Sequence, residues 1–198
     1  MVNIVQREDK ILRQIAKEVP LSDIGTPKLD KIIEEMKKAL DSQMDGVAIA
    51  APQIGEPLRI FVVSGKINKI LEKDAMLKIA GVKNKSQLSE ADRKILAEKK
   101  YPDQVYINPK IKKISKDSEW LEEGCLSIRY AYGKRKRAKK ATIEAYDENG
   151  KRFTRGGSGL LAQIFQHETD HLEGELFIDK AKDLREIPPE EWREMQTE

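Results

Sequence analysis

The sequence has few residues that form disulfide bonds or titrate near neutral pH: its 198 residues include one cysteine and two histidines. A single cysteine, Cys125, cannot form an internal disulfide bond, which excludes a disulfide-stabilised fold. No apolar run approaches the length needed to cross a membrane, and the N-terminal residues lack the apolar segment of a signal peptide. We therefore expect a cytoplasmic protein with no membrane partner.

The sequence also lacks a large excess of charge of one sign. Its 37 basic and 34 acidic residues leave a net charge of +3, so the total charge does not indicate a polyanionic partner. Apolar residues make up 39% and charged residues 36%, so the chain is highly charged but has enough core-forming residues for a globular protein rather than a disordered one. We expect one domain over residues 1–198, and a monomer.

In the first half of the chain, the pattern predicts helices around one buried strand. A short helix is expected over residues 9–19. A clearer one begins with Thr26 as its cap and Pro27 at its first position, because apolar residues then recur at helical spacing. A buried strand follows at residues 59–64, and the Lys-rich residues 66–103 indicate a helical insertion.

Strand patterns dominate the second half until the last helices. They run over residues 105–120, are interrupted by EEGCLSIRYAYG, and resume as a hairpin over residues 141–155. From residue 158 the segment GLLAQIFQHETDHL is apolar with a 3.6-residue period, which predicts a helix that ends near Gly174. A last short helix is expected over residues 190–196.

Both histidines lie in the stretch QHETDHLEG, one helical turn apart. Residues i and i+4 of a helix lie on one face, so His167 and His171 can bind one ion, and neutral imidazoles suit zinc or ferrous iron. Glu168 completes an HExxH pattern, in which a carboxylate beside the first ligand can accept a proton from water at the metal. The alternative is a pair of histidines with ordinary hydrogen bonds.

A catalytic metal site of this kind needs a third protein ligand. Position 177 is Phe177, so a third histidine at the metzincin spacing is excluded. Glu190 or Glu191 lies at a tolerable distance after His171, which leaves a zinc endopeptidase as an alternative. The other candidate is Cys125 in the stretch EGCLS, whose neighbours suit a tight, exposed turn better than a central strand.

Three separated motifs, in this order, resemble those of peptide deformylases: GVAIAAPQ, EGCLS and QHETDH. The opening IVQREDKILRQIAKEV and the closing HLEGELFID are also similar to the family, so the resemblance covers most of the chain outside residues 66–103. It implies an α+β fold in which antiparallel sheets surround the helix that carries the motif HExDH. It also implies hydrolysis of the formyl group from the N-terminal formyl-methionine of new polypeptides, with release of formate.

The resemblance also implies the roles of individual residues. One divalent ion, Fe²⁺ first and Zn²⁺ second, would be held by Cys125, His167 and His171. Glu168 would carry a proton from the attacking water to the departing amine. The negative oxygen that develops on the formyl group would be stabilised by the Gln53 side chain and the Leu126 N–H.

The expected substrate cleft and its surroundings follow from the same resemblance. Leu160 and Ile164 share the helix face of His167 and would form one wall of a methionine pocket, with Val47 opposite. The other predicted substrate-binding residues are Gly46, Ala48 and Gly124. We expect Asp170, paired with Arg137, to orient the site from behind the ligands.

The chain departs from the family pattern at several positions. Ala48 stands where the family commonly has glycine, Tyr132 stands where an arginine near the substrate is common, and residues 66–103 have no counterpart to which we can assign a role. The basic run at residues 134–140, KRKRAKK, has two interpretations: transient contact with ribosomal RNA, or a solvated strand edge. A noncatalytic, ribosome-binding relative is therefore a further hypothesis.

Overall fold

A computed structural model describes residues 3–191. Four α-helices lie within this range, in chain order α1 Pro27–Asp41, α2 Gly65–Ala80, α3 Glu90–Glu98 and α4 Leu160–Leu172. The strands in the same range are β1 Ala48–Ala50, β2 Ile60–Val63, β3 Gln104–Ile114, β4 Ser118–Cys125, β5 Ile128–Ala138, β6 Lys140–Tyr146, β7 Arg152–Ser158 and β8 Lys182–Glu186. None of the helices described between residues 3 and 191 is both long and apolar enough to span a bilayer.

The strands form two antiparallel sheets. The larger has five strands in the order β1-β2-β3-β6-β7, and the smaller has three in the order β4-β5-β8. With helices on the sheets, this is the α+β architecture that the sequence predicted, and that prediction is confirmed. The hairpin expected over residues 141–155 is β6 and β7, whose turn is fixed by the Asp147 carboxylate accepting from the N–H groups of Asn149 and Lys151.

Helices cover both faces of the five-stranded sheet at β1, β2 and the first half of β3, where the strand residues are buried. Successive residues of β2 point to opposite faces, so Phe61 packs with α4 while Val62 packs with α1. Tyr106 stacks on Phe61 with ring centroids 4.5 Å apart and meets Phe165 of α4 edge to face at 5.6 Å. These contacts fix α4 rigidly against the sheet.

Helix α1 follows the prediction closely. The Thr26 hydroxyl accepts a hydrogen bond from the Leu29 N–H, and Pro27 is the first helical residue. Its apolar stripe is buried, with Met36 fully inaccessible to solvent. Helix α4 also matches its prediction and is closed at its C-terminal end by Gly174, which adopts a left-handed φ of +73°.

The predicted helix over residues 9–19 is wrong. Only residues 10–13 form a short 3₁₀ turn, Lys10–Arg13, and the chain then becomes extended. The extended backbone finds partners elsewhere in the fold: Ala16 N donates to Leu172 O at 2.9 Å, and Lys17 N donates to Pro57 O at 2.8 Å. Tertiary hydrogen bonds here replace those that a helix would have formed within the segment.

Helices α2 and α3 occupy most of residues 66–103, as expected from the sequence. Ser89 caps α3 by accepting a hydrogen bond from the Asp92 N–H. That this segment is an insertion relative to the family stays a prediction. The helix predicted over residues 190–196 lies outside the described residues from position 192 onward.

The EGCLS stretch differs from its prediction in two ways. Strand β4 continues through Glu123, Gly124 and Cys125, and the turn to β5 is only the two residues Leu126 and Ser127. That turn is buried rather than exposed, since Ser127 has no accessible surface. Side chains from distant segments cover it: Gln53 donates to the Ser127 hydroxyl and Gln6 donates to the Leu126 carbonyl.

Candidate active site

The end of β4 and the middle of α4 bring three metal-ligating side chains together. The donor atoms of Cys125, His167 and His171 all lie within 4.8 Å of one another. The Cys125 sulfur is 3.2 Å from Nε2 of His171, and the two imidazole centroids are 5.0 Å apart. Helical spacing places the two rings on one face, as predicted, and the antiparallel hairpin adds the sulfur from a different element.

Glu123 connects this group to Arg137, and Asp170 connects Arg137 to a second arginine. Glu123 is 4% exposed, its Oε2 lies 3.1 Å from Nδ1 of His167, and it accepts two hydrogen bonds from Arg137 at 2.6 and 2.8 Å. Arg137 also donates to Asp170 at 2.6 Å, so the expected pairing of these two residues is present. Arg135 donates to Asp170 at 3.2 Å and adds a second cation.

From the sequence alone, Glu123 is expected only to form part of a turn. Because residues i and i+2 of a strand point to the same side, Glu123 and Cys125 face α4 together. That spacing is the signal that could have identified Glu123 once β4 was extended to Cys125. A carboxylate that holds the second nitrogen of a histidine fixes its tautomer and ring orientation.

Charge pairing dominates the titration of Glu123. Burial alone would raise its pKa, but hydrogen bonds from Arg137 and His167 outweigh burial and lower the pKa to about 2. The carboxylate is therefore anionic at neutral pH and available to hold the His167 ring.

Glu168 lies beside the three donors in a different environment. It is 4% exposed, and its Oε2 has no hydrogen-bond partner in the part of the chain from residue 3 to residue 191. Burial raises its pKa to about 7, while the charge of His167 opposes that rise. The result is a carboxyl group that can both accept and release a proton near neutral pH.

The donor set fits a divalent cation. Burial disfavours a proton on His167, yet hydrogen bonds to Cys125 and Glu123 raise its pKa well above the usual value. Burial and the nearby His167 lower the pKa of His171, whose buried Nδ1 is unpaired within residues 3–191. Two imidazoles and one sulfur within reach of each other are suitable ligands for zinc or ferrous iron.

Gln53 approaches the group from the opposite side. Its Oε1 accepts a hydrogen bond from the Ala50 N–H at 2.8 Å, which orients its Nε2 toward Ser127 at 3.2 Å and the Cys125 sulfur at 3.5 Å. The amide is 2% exposed, so its direction is set by these contacts rather than by solvent. Its Nε2 therefore lies beside the Cys125 sulfur, one of the three donor atoms.

A cleft of about 260 Å³ opens onto this group. Its lining includes the reactive side chains Cys125, His167 and Glu168. Every residue that the sequence analysis assigned to substrate binding also lines it: Gly46, Val47, Ala48, Gly124, Leu160 and Ile164. Gln53, Leu126 and Tyr132 line the same cleft, so the structure brings together the predicted residues from all three motifs.

Comparison with known proteins identifies the family. The family model described as polypeptide deformylase matches residues 1–186. The chain belongs to the polypeptide deformylase family. The prediction made from the three motifs is therefore confirmed.

Curated deformylases are similar over most of the chain. A peptide deformylase of Christiangramia forsetii is 34% identical over 182 residues, which cover 92% of this chain and 82% of that protein. Peptide deformylase 2 of Clostridium acetobutylicum is 36% identical, and the match covers 87% of this chain and 89% of that protein. The chloroplastic deformylase 1A of Solanum lycopersicum is 34% identical, but the match spans 91% of this chain and only 59% of the plant protein.

Solved deformylase structures share the fold. The enzyme of Synechococcus elongatus in complex with actinonin superposes with a TM-score of 0.67 at 31% identity, over 92% of this chain and 79% of that one. Deformylase 1B of Arabidopsis thaliana gives a TM-score of 0.69 at 31% identity, and the superposition covers 91% of this chain and 82% of that one.

The endopeptidase alternative is not favoured by these findings. Glu190 and Glu191 are exposed, and the potential metal-ligand group among residues 3–191 contains Cys125 with the two histidines instead. The third donor therefore comes from the deformylase motif and not from the C-terminal segment.

The basic run is not simply a solvated strand edge. Arg135 and Arg137 are buried and face the carboxylates of the site, while alternate residues such as Lys134 and Lys136 are exposed. Strand β5 also lies between β4 and β8, with Lys134 paired to Lys182. Only the lysines of this run are accessible to a partner.

Proposed function

We propose that this chain hydrolyses the formyl group from the N-terminal formyl-methionine of newly made polypeptides and releases formate. The observation that carries the proposal is the convergence of Cys125, His167 and His171 beside the buried, unpaired Glu168 oxygen. Family membership supports the same reaction. It remains a proposal for the whole protein, because the chain spans about three fifths of the length of its two plant relatives, 59% and 60%.

Cys125, His167 and His171 would hold one divalent ion, for which we propose Fe²⁺, with Zn²⁺ as the alternative. When bound, such an ion polarises a carbonyl group and lowers the pKa of water. Glu123 would keep the His167 ring in its ligating orientation, supported by the charges of Arg137 and Asp170.

Glu168 would move the proton during hydrolysis. Its carboxylate accepts a proton from the attacking water and then donates it to the departing amine, which leaves as a free N-terminus. The unpaired oxygen supports this role, because no hydrogen bond to a residue between 3 and 191 has to break before it accepts a proton.

Gln53 and Leu126 would stabilise the negative oxygen that develops on the formyl group. The Gln53 amide plane is oriented by the hydrogen bond that its Oε1 accepts from the Ala50 N–H, and an Nε2 hydrogen now directed at Cys125 would be donated to the developing charge. The Leu126 N–H follows Cys125 at the turn and would supply the second donor.

The methionine side chain would lie against the apolar residues of the cleft, Leu160, Ile164 and Val47. Gly46, Ala48 and Gly124 would contact the peptide backbone, with Tyr132 in place of the arginine common in the family. A deformylase of Acinetobacter baumannii, 25% identical with a TM-score of 0.69, has been solved with Met-Ala-Ser bound. A peptide of that kind is the substrate class we propose here.

The exposed lysines of the basic run would allow transient contact with ribosomal RNA. Lys134, Lys136, Lys139 and Lys140 are exposed, and phosphate groups attract such side chains in a salt-dependent way. Binding to ribosomes that weakens steeply with salt, and is reduced in a Lys136→Glu/Lys139→Glu variant, would support the contact. Salt-independent binding would oppose it.

We also propose that the protein is a monomer and acts in the cytoplasm, where formylated chains emerge.

Replacing the sulfur separates deformylase from endopeptidase. Cys125→Ser should lower both metal content and formate release from a formyl-Met peptide, because serine is a poorer ligand. A Glu190→Gln/Glu191→Gln variant should keep both. The opposite pattern, with loss only in the second variant, would favour the endopeptidase.

A further inference from the structure

Two segments face each other at the mouth of the cleft. One is the entry segment, residues 43–47, which leads from the end of α1 into β1 and contributes Asp45, Gly46 and Val47 to the lining. The other is the bulge, residues 129–132 of β5. Glu123 pairs with Gly133 and Cys125 pairs with Ile128, so the whole bulge lies opposite one residue of β4.

The bulge is fixed on its outer side by the C-terminal strand. Ala131 and Tyr132 pair with β8, and Ile187 N donates to the Tyr130 carbonyl at 2.7 Å. Tyr130 has a φ of +62°, a left-handed conformation that a tyrosine adopts only where its surroundings enforce it. On its inner side the Tyr132 ring covers Gly124, where an added Cβ would lie 2.8 Å from the ring.

Arg129 joins the bulge to the entry segment. Its Nη1 lies 3.2 and 3.4 Å from the two carboxylate oxygens of Asp45, and its Nη2 donates to Oε1 of Gln43. The side chains of Arg129 and Asp45 are only 22% and 27% exposed, so the pair is less screened than a surface ion pair. Arg129 is also one of the residues that line the cleft.

We propose that Arg129 is a positioning residue for peptide binding. Its bonds to Asp45 and Gln43 set the distance between the bulge and the entry segment, and therefore the width of the cleft into which the peptide enters. This inference rests on the proposed function. Helix α4 and strand β4 hold Glu168 and the metal ligands without Arg129, so its loss should affect peptide affinity and leave the chemical step intact.

The test compares Arg129→Gln, Asp45→Asn and the double variant with wild type, using formyl-Met-Ala-Ser as substrate. We expect KM to rise about fivefold in each single variant, with kcat and metal content unchanged. The double variant should lose no more affinity than Arg129→Gln alone, because that substitution already removes the link to Asp45. Reversing the pair, Arg129→Asp with Asp45→Arg, should recover part of the affinity.

Hydrogen exchange and a control variant complete the test. The amide hydrogens of the entry segment should exchange with solvent faster in Arg129→Gln than in wild type. Lys37→Met removes an ion pair outside the cleft lining, Lys37 with Glu148 at 2.9 Å, in which the lysine is 23% and the glutamate 46% exposed, and it should leave KM unchanged. An unchanged KM in Arg129→Gln, additive losses in the double variant, or a fall in kcat alone would each overturn the proposal.

Failure of the proposed function would look different. If wild type released no formate, the affinity of the peptide Met-Ala-Ser, measured by calorimetry, would still report on the cleft. A fivefold weaker affinity in Arg129→Gln would then support the role of Arg129 while the proposed reaction failed. Equal affinity in the two proteins would reject the role of Arg129 without reference to catalysis.

Discussion

Glu168 differs from the other carboxylates of the site in having no cationic partner within hydrogen-bonding distance among residues 3–191. Glu123 and Asp170 are held by arginines, and we propose that they orient their neighbours. A carboxylate committed to an arginine cannot readily accept a proton, whereas the unpaired oxygen of Glu168 can. The division of roles between these acidic residues follows from their contacts.

Replacing Glu168 tests its role in proton transfer. Glu168→Gln keeps the shape of the side chain but removes its basicity, so we expect kcat to fall about a thousandfold while metal content is retained. Formate release and metal analysis on the same preparation would measure both. Equal formate release by this variant and wild type would contradict the assigned role.

Replacing Glu123 tests its role in holding His167. Glu123→Gln removes the anionic partner of the Nδ1 nitrogen and leaves Arg137 buried without its strongest acceptor. We expect metal affinity to fall at least about tenfold, measured by competition with a chelator. Glu122→Gln is the matched control, because the neighbouring side chain points to the other side of β4 and pairs with Arg185. Similar losses in both variants would refute the assignment.

Helix α4 was predictable from sequence, but the hairpin beside it was only partly so. Periodic apolar residues mark α4, and the same residues pack against the sheet, so local pattern and tertiary structure agree. The EGCLS stretch predicts an exposed turn because Glu123, Gly124 and Ser127 are small or polar. Its burial depends on Gln6 and Gln53, which approach from distant segments and give no local signal.

The end of α4 depends on a close backbone contact. A Cβ on Gly174 would lie 2.8 Å from the Arg13 carbonyl group, whereas a Cβ on Gly81, at the end of α2, would meet nothing within 4 Å. Both glycines have left-handed φ angles, +73° and +66°. Gly81→Ala therefore isolates the cost of the conformation, and Gly174→Ala adds the cost of the clash.

We expect Gly81→Ala to lower the free energy of unfolding by about 1 kcal/mol, and Gly174→Ala to lower it by about 2 kcal/mol more. Urea unfolding of the two metal-loaded variants would measure the difference. Equal losses would mean that the segment carrying Arg13 moves aside at little cost.

In the molecule as a whole, the sequence could identify the three motifs but not how the network behind them is connected. The fold class, the metal-ligand candidates and the Asp170–Arg137 pair could be anticipated. Glu123 could not, because its role depends on how β4 lies against α4. The extended course of residues 14–17 was missed for a similar reason, since their hydrogen bonds go to Leu172 and Pro57.

The central claim is that one ion, held by Cys125 and the two histidines, is required for deformylation. The most direct test adds Fe²⁺ in steps, without oxygen, to metal-depleted protein and measures formate release from a formyl-Met peptide after each addition. We predict that the rate of formate release rises linearly with added Fe²⁺ and stops rising at one ion per chain. A rate independent of added metal, or no formate from fully loaded protein, would contradict it.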